Sequence, residues 1–149
     1  MSPEDWPYTV NAVFNPGATV GPDGETLLLV RVEDRSGISH LTLARSDDGV
    51  TNWKIDSRPT LMPQTSRFEE LWGIEDPRIV RFGDEYLIAH TAVSSAGPLV
   101  ALLSTRDFRD FERLIHRPVF YGYRAEAHMW ISFSPDLRHW GDHKILLES

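Results

Sequence analysis

The chain has 149 residues, 41% apolar and 25% charged, enough for a single compact core. Fifteen Lys and Arg stand against 22 Asp and Glu, a net charge of -7. This argues against nucleic acid or an anionic membrane as the main partner, since both need a basic face. There is no cysteine, which excludes a disulfide, a thiolate nucleophile and any Cys-ligated zinc or iron–sulfur cluster.

No apolar run reaches the ~18 residues of a membrane span. Residues 1–8 lack the basic-then-apolar order of a signal peptide. A soluble, cytoplasmic domain is expected. In chain order, Gly21-Pro22-Asp23-Gly24 reads as a turn leading into a strand from Thr26 to Val32. A second strand runs from Ile38 to Ala44 and stops at Ser46-Asp47-Asp48-Gly49. Pro77 to Phe82, the turn Gly83-Asp84 and Glu85 to Val93 read as a hairpin, because Gly and Asp tolerate the left-handed turn backbone. Leu99 to Ser104, Arg117 to Phe120 and His128 to Phe133 are further strand candidates, and a strand-like run begins at Lys144. Only residues 107–115 are helix-compatible, and that stretch is short. The predicted fold is all-β.

A repeat is embedded in this pattern. Ser46-Asp47-Asp48-Gly49 leads to Trp53, Thr105-Arg106-Asp107-Phe108 to Phe111, and Ser134-Pro135-Asp136-Leu137 to Trp140. Each copy places a hydroxyl and a carboxylate where they can bond nearby backbone amides, with an aromatic to anchor the outgoing chain in the core. Turns repeated in this way suggest stacked or radial sheet units such as propeller blades. Asp48 and Asp107 are about twice as far apart as Asp107 and Asp136, so one unit is compact or residues are absent near Leu114-Ile115.

The residues then reach a family. Asn15-Pro16-Gly17, Leu28 to Glu33, Ser39, Leu43 to Gly49, Gly73-Ile74-Glu75-Asp76-Pro77-Arg78-Ile79, His116-Arg117-Pro118 and Trp130 to Gly141 occur in that order. Together they resemble the β-mannoside (β-1,4-mannosyl) phosphorylases, inverting enzymes on a five-bladed β-propeller that include some hydrolases. The resemblance implies a single incomplete propeller domain over residues 1–149, about two to three blades. Family members carry a phosphate-holding strand and loop between the equivalents of Leu114 and Ile115, and continue well past Glu148. The chain therefore resembles an internally deleted, C-terminally shortened relative. Such a partial ring leaves blade edges exposed and is expected to be marginally stable, or to self-associate through those edges.

The resemblance assigns Asp76 as the general acid, acting through a sugar hydroxyl, with β-linked mannosyl oligosaccharide and inorganic phosphate as substrates and no cofactor or metal. Phosphate, already an anion, can attack the anomeric carbon without a second carboxylate base, but needs cations to hold it. Asn15 and Arg31 match sugar-subsite positions, and Arg117 matches a phosphate-binding arginine whose guanidinium suits phosphate oxygens.

Read from the residues alone, an Arg within the apolar run Leu27 to Val32 calls for a partner or a ligand, although an arginine meeting water would also serve. Asp76 precedes Pro77, which biases it to extended backbone. Strand alternation then puts Asp76 and Arg78 on one face, with Glu75 pointing away, and with Asp76 as the acid the resemblance implies, Arg78 becomes a substrate-binding candidate. An Arg so close should weaken Asp76 as an acid, unless Arg78 turns to another partner or substrate restores the proton. Trp72 is a sugar-stacking candidate that plain packing explains equally well. His139 and His143 are poorly placed for zinc, and His116 and His128 read as a strand-end and a packed histidine. Three functions are consistent with the sequence: phosphorolysis of β-mannosides to mannose 1-phosphate, hydrolysis of the same bond, or an inactive fragment with at most weak sugar binding.

Overall fold

A computed structural model describes residues 2–114, 128–131, 141 and 144–148 of the chain. Strands β1 (Ala12–Val20), β2 (Thr26–Glu33), β3 (Ser39–Ser46) and β4 (Lys54–Ile55) form one four-stranded antiparallel sheet in chain order. Strands β5 (Ile74–Phe82), β6 (Glu85–Ser94), β7 (Gly97–Thr105) and β8 (Glu112–Leu114) form a second sheet of the same topology. Strands β9 (His128–Ile131) and β10 (Lys144–Glu148) pair with each other. Among the described residues the only helical pieces are the 3₁₀ turns Pro3–Asp5 and Phe68–Glu70, and no helix is long and apolar enough to cross a membrane. The all-β expectation holds, and each sheet is a blade-like meander.

The turns fall where the sequence puts them. Gly21 N donates to Glu25 O between β1 and β2, and Gly83-Asp84 closes the β5–β6 hairpin, with Phe82 opposite Glu85. The repeated Ser/Thr turn is formed twice by the same bonds. Ser46 Oγ accepts from Gly49 N, and Asp48 Oδ1 accepts from Val50 N and Thr51 N. In the second copy Thr105 Oγ1 accepts from Phe108 N, and Asp107 Oδ1 accepts from Arg109 N and Asp110 N. The Thr51 hydroxyl, followed by the Thr51 and Val50 amides, holds the Asp48 carboxyl below the usual aspartate range, and the Asp110 and Arg109 amides do the same for Asp107. The third copy, Ser134 to Trp140, lies outside the described residues.

Several boundaries differ from expectation. Strand β1 was not foreseen; it is interrupted by Asn15-Pro16-Gly17, residue types that favour turns, which the strand takes up as a bulge. Residues 112–114, helix-compatible on propensity, form the outer strand β8, fixed by long-range contacts. Of the two anchoring aromatics, Phe111 packs against the core, whereas Trp53 turns back and donates its indole N–H to Val50 O.

The main core lies between the sheets. Leu27, Leu29, Leu41 and Leu43 of the first sheet meet Ile74, Tyr86, Ile88, Leu103 and Phe108 of the second, all essentially dry. Burying each such side chain contributes about 1.5–3 kcal/mol. The opposite face of the first sheet is covered by residues 6–10, with Trp6 packed on Val30 and Val32. Tyr86 Oη also donates to Val20 O at 3.0 Å, stitching β6 to the end of β1. Behind the core, Glu70 is 2% exposed and takes a two-pronged bond from Arg113 of β8, at 2.7 and 2.9 Å.

The sheets approach most closely where β1 meets β5. A Cβ placed on Gly17 would lie 2.8 Å from the Pro77 carbonyl oxygen, so only glycine permits this contact. Both strands are irregular here. In β1 the ladder skips between Phe14 and Gly17, and in β5 between Glu75 and Arg78. Each bulge holds an Xaa-Pro pair opposite one partner residue, which suits proline because no ladder N–H is demanded of it.

Candidate functional site

The two bulges place Asn15 and Asp76 side by side although 61 positions separate them in the chain. Asn15 Nδ2 donates to Asp76 Oδ1 at 3.2 Å. Arg31 is on the same face of β2 as Leu27 and Leu29, so its side chain leaves the core edge pointing at the second sheet. There its Nη1 donates to Asp76 Oδ1 at 3.2 Å and its Nη2 to Glu75 Oε1 at 2.9 Å. Its Nε donates to Ser39 Oγ at 3.1 Å, and its guanidinium carbon stands 4.8 Å from the centre of the Phe14 ring. Ser39 is itself bridged to Gly73, immediately before the Ile74-Glu75-Asp76 segment. The cation inside an apolar strand therefore has protein partners, one hydrogen bond from each of its three nitrogens.

Two geometric expectations are overturned here. Asp76 is not extended; its φ of 49° lies in the left-handed region, which Asp tolerates better than most residues. The bulge also breaks the alternation of side chains, so Glu75 does not point away but joins Asp76 on Arg31. Arg78 is the residue that leaves: it is exposed, and its Nη1 donates to the Pro77 carbonyl at 2.9 Å. The anticipated weakening of Asp76 by Arg78 is thus replaced by a contact with Arg31.

The surroundings are only partly dry. The side chains of Arg31, Glu75 and Asp76 are 18%, 22% and 34% exposed. Burial is the main cause that pushes the Glu75 carboxyl above its ordinary value, opposed by Arg31 and reinforced by the Asp76 charge. Both described donors to Asp76 fall on Oδ1, and no donor among the described residues reaches Oδ2.

Asn15, Arg31 and Asp76 are therefore brought together. Trp72 is 53% exposed and tied to the fold through its backbone, Trp72 N donating to Val93 O. Arg117, His116, His139 and His143 lie outside the described residues. Glu75, Ser39 and Phe14 are the members that alternation and composition did not single out. The Pro after Asp76 carried the signal for Glu75, since a proline inside a strand implies a bulge. No metal-binding group of acidic and histidine side chains occurs among the described residues.

A sequence profile described as beta-1,4-mannooligosaccharide phosphorylase matches residues 1–119. The chain belongs to glycoside hydrolase family 130. Among family 130 relatives, a beta-1,2-mannobiose phosphorylase of Listeria innocua is 32% identical over 136 residues, 75% of this chain and 37% of the relative. A 1,2-beta-oligomannan phosphorylase of a Thermoanaerobacter species is 29% identical over 164 aligned positions, 92% of this chain and 54% of the relative. The solved complex of the Listeria enzyme with beta-1,2-mannobiose superimposes with a TM-score of 0.74 at 24% identity, covering 98% of this chain and 63% of that one. The two described sheets thus correspond to about half of a family 130 propeller, and the chain spans less than two thirds of the length of each of these proteins.

Proposed function

We propose that the chain carries the acid-bearing, sugar-binding part of a family 130 site that transfers a mannosyl group from a β-linked oligosaccharide to phosphate. The convergence of Asn15 and Arg31 on one oxygen of Asp76, with no donor among the described residues on the other, is the observation that supports this reading most. In it, Asp76 supplies the proton that the departing glycosidic oxygen requires, while phosphate attacks the anomeric carbon from the opposite face. Asn15 and Arg31 hold the carboxyl in place, and their remaining donor capacity meets sugar hydroxyls.

The test is incubation of the chain with β-1,2-mannobiose and phosphate, with mannose 1-phosphate as the product measured. Asp76→Asn should lower that turnover by roughly 10²–10⁴-fold. Unchanged turnover in this variant would remove Asp76 as the acid. One observation favours a second reading, hydrolysis: the Arg31 cation already faces two carboxylates, Glu75 and Asp76, so its charge is committed to them rather than to a phosphate. Free mannose released at the same rate with and without phosphate would select hydrolysis. The absence of both products at high enzyme concentration would mean that the site is inert in this chain.

A further inference from the structure

We propose that the cleft between the outer edge of the first sheet and the turn leaving β7 binds a phosphoryl dianion, free or esterified to a sugar. This site is separate from the cluster at Asp76 and does not rest on the reading of it.

The cleft has a volume of about 570 Å³, within the range of small-molecule sites. Arg45 of β3, Arg58 of the loop after β4 and Arg109 of the turn after β7 line it, against one carboxylate, Asp56. Three cations and one anion leave two surplus positive charges, in a chain whose net charge is -7. Elsewhere arginines have protein carboxylates: Arg31 has Glu75 and Asp76, Arg67 has Glu69, Arg106 has Glu85 and Arg113 has Glu70. Arg58 and Arg109 are exposed and make no side-chain hydrogen bond or ion pair among the described residues. Arg45 gives Asp56 a single bond, from Nη1 at 2.7 Å. The other Asp56 oxygen accepts from Thr60 Oγ1 at 2.7 Å, so the one carboxylate is occupied on both sides.

The backbone under these cations is fixed. Arg45 alternates with the core residues Leu41 and Leu43, so it leaves the core at the edge away from Asp76. The loop carrying Arg58 is pinned to β3 on either side of it, Asp56 N donating to Leu43 O and Thr60 N to Leu41 O, while Leu43 N donates to Thr60 Oγ1. Arg109 rides on the turn that Asp107 Oδ1 clamps through the Arg109 and Asp110 amides, and buried Phe108 anchors that turn. Asp107 thus spends this oxygen on backbone, not on a guanidinium. Like charges held close on rigid loops from two sheets repel one another until an anion sits between them, and little ordering is needed when it does. Guanidinium forks match phosphoryl oxygens, and two surplus charges match a dianion. Arg45 stands about 20 Å along β3 from Ser39, the residue that bonds Arg31, so the cleft and the Asp76 cluster lie at opposite ends of the sheets.

The experiment follows the phosphorus-31 signals of inorganic phosphate and of glucose 6-phosphate as the whole chain is added, with sodium chloride holding ionic strength constant. Saturable binding of at least one is expected. Equal dissociation constants assign the cleft to free phosphate, and a lower one for the ester assigns it to a phosphorylated sugar. Arg58→Gln and Arg109→Gln, both on the surface, should each raise the constant by roughly tenfold. Arg35→Gln removes the same charge from an exposed turn at the far end of the first sheet and should leave it within about twofold. Asp76→Asn should leave it unchanged. No saturable binding of either probe overturns the proposal. So does a constant that Arg35→Gln raises as much as Arg58→Gln does, which marks diffuse charge attraction. Binding that is lost in Asp76→Asn and kept in folded Arg58→Gln and Arg109→Gln overturns it too, since the phosphate would then sit at Asp76.

Discussion

The two four-stranded sheets are built to one plan and differ where chemistry is placed. Each carries an Xaa-Pro bulge in its first strand, and each leaves its third strand through the same hydroxyl–carboxylate turn. In the first sheet the bulge presents a neutral amide, Asn15; in the second it presents an acid, Asp76, in left-handed backbone. The turns differ too. At the left-handed position the first has Gly49, φ 71°, and the second has Phe108, φ 56°, almost wholly buried against Tyr86 and Phe111. One backbone shape is thus held once by the absence of a side chain and once by the burial of a large one. The lesson is that the repeat constrains hydrogen bonds, not residue identity, and leaves the bulge free to differ.

The largest expected effect tests the second way of holding the turn. Phe108→Ala should cost about 3–5 kcal/mol, because it opens a core cavity while leaving the left-handed strain in place. Gly49→Ala should cost only about 1–2 kcal/mol, from the strained φ and a Cβ set 2.8 Å from Thr26 Oγ1, a side chain able to rotate. Equal losses in urea unfolding would erase the contrast. A similar effect separates the ion pairs that brace each sheet. Glu70→Ala strands a buried Arg113 and should cost about 3–5 kcal/mol. The first sheet's pair, Arg45–Asp56, has side chains 32% and 30% exposed, so Asp56→Ala should stay within about 1 kcal/mol.

Gly17→Ala comes next, at about 1–3 kcal/mol, because its methyl group would press on the Pro77 carbonyl and force the bulges apart. Under the proposed function it should also weaken mannobiose binding, which Gly49→Ala should not, a difference visible by calorimetry. The smallest effect lies on the outer face of the first sheet, where buried His40 meets Tyr8 Oη at 3.0 Å. Burial holds its pKa below 6.5, so the folded state resists protonation. Its contribution is present above pH 6.5 and is lost as pH falls through the lowered folded value. A melting temperature that declines across this window, and declines less in His40→Gln, would confirm it.

Much of this architecture was legible. Turn residues marked the start of β2, the end of β3 and the Gly83-Asp84 turn of the hairpin, since Gly, Pro and Asp act locally, although β5 begins at Ile74, three residues before the expected Pro77. Arg31 stood out because a cation in an apolar strand needs partners, and it has three. What was hidden depends on non-local forces. Strand β1 was masked by Asn-Pro-Gly, whose turn chemistry is absorbed into a bulge by contact with β5. Glu75 was misdirected because alternation assumes an unbroken ladder. Strand β8 has no pattern of its own and is pinned by Arg113 reaching a glutamate 43 positions earlier.

The contact of Gly17 with the Pro77 carbonyl has a mechanical consequence. Backbone touches backbone there, so the seam has no side-chain cushion to absorb sliding. The amide on one strand and the carboxyl on the other behave as the two jaws of a gauge. A shear of an ångström between the sheets, whether from pressure, an engineered insertion or a neighbouring chain, must stretch the 3.2 Å bond between Asn15 and Asp76. Infrared absorption of the Asp76 carboxyl would therefore register sheet slippage well before the core lets in water.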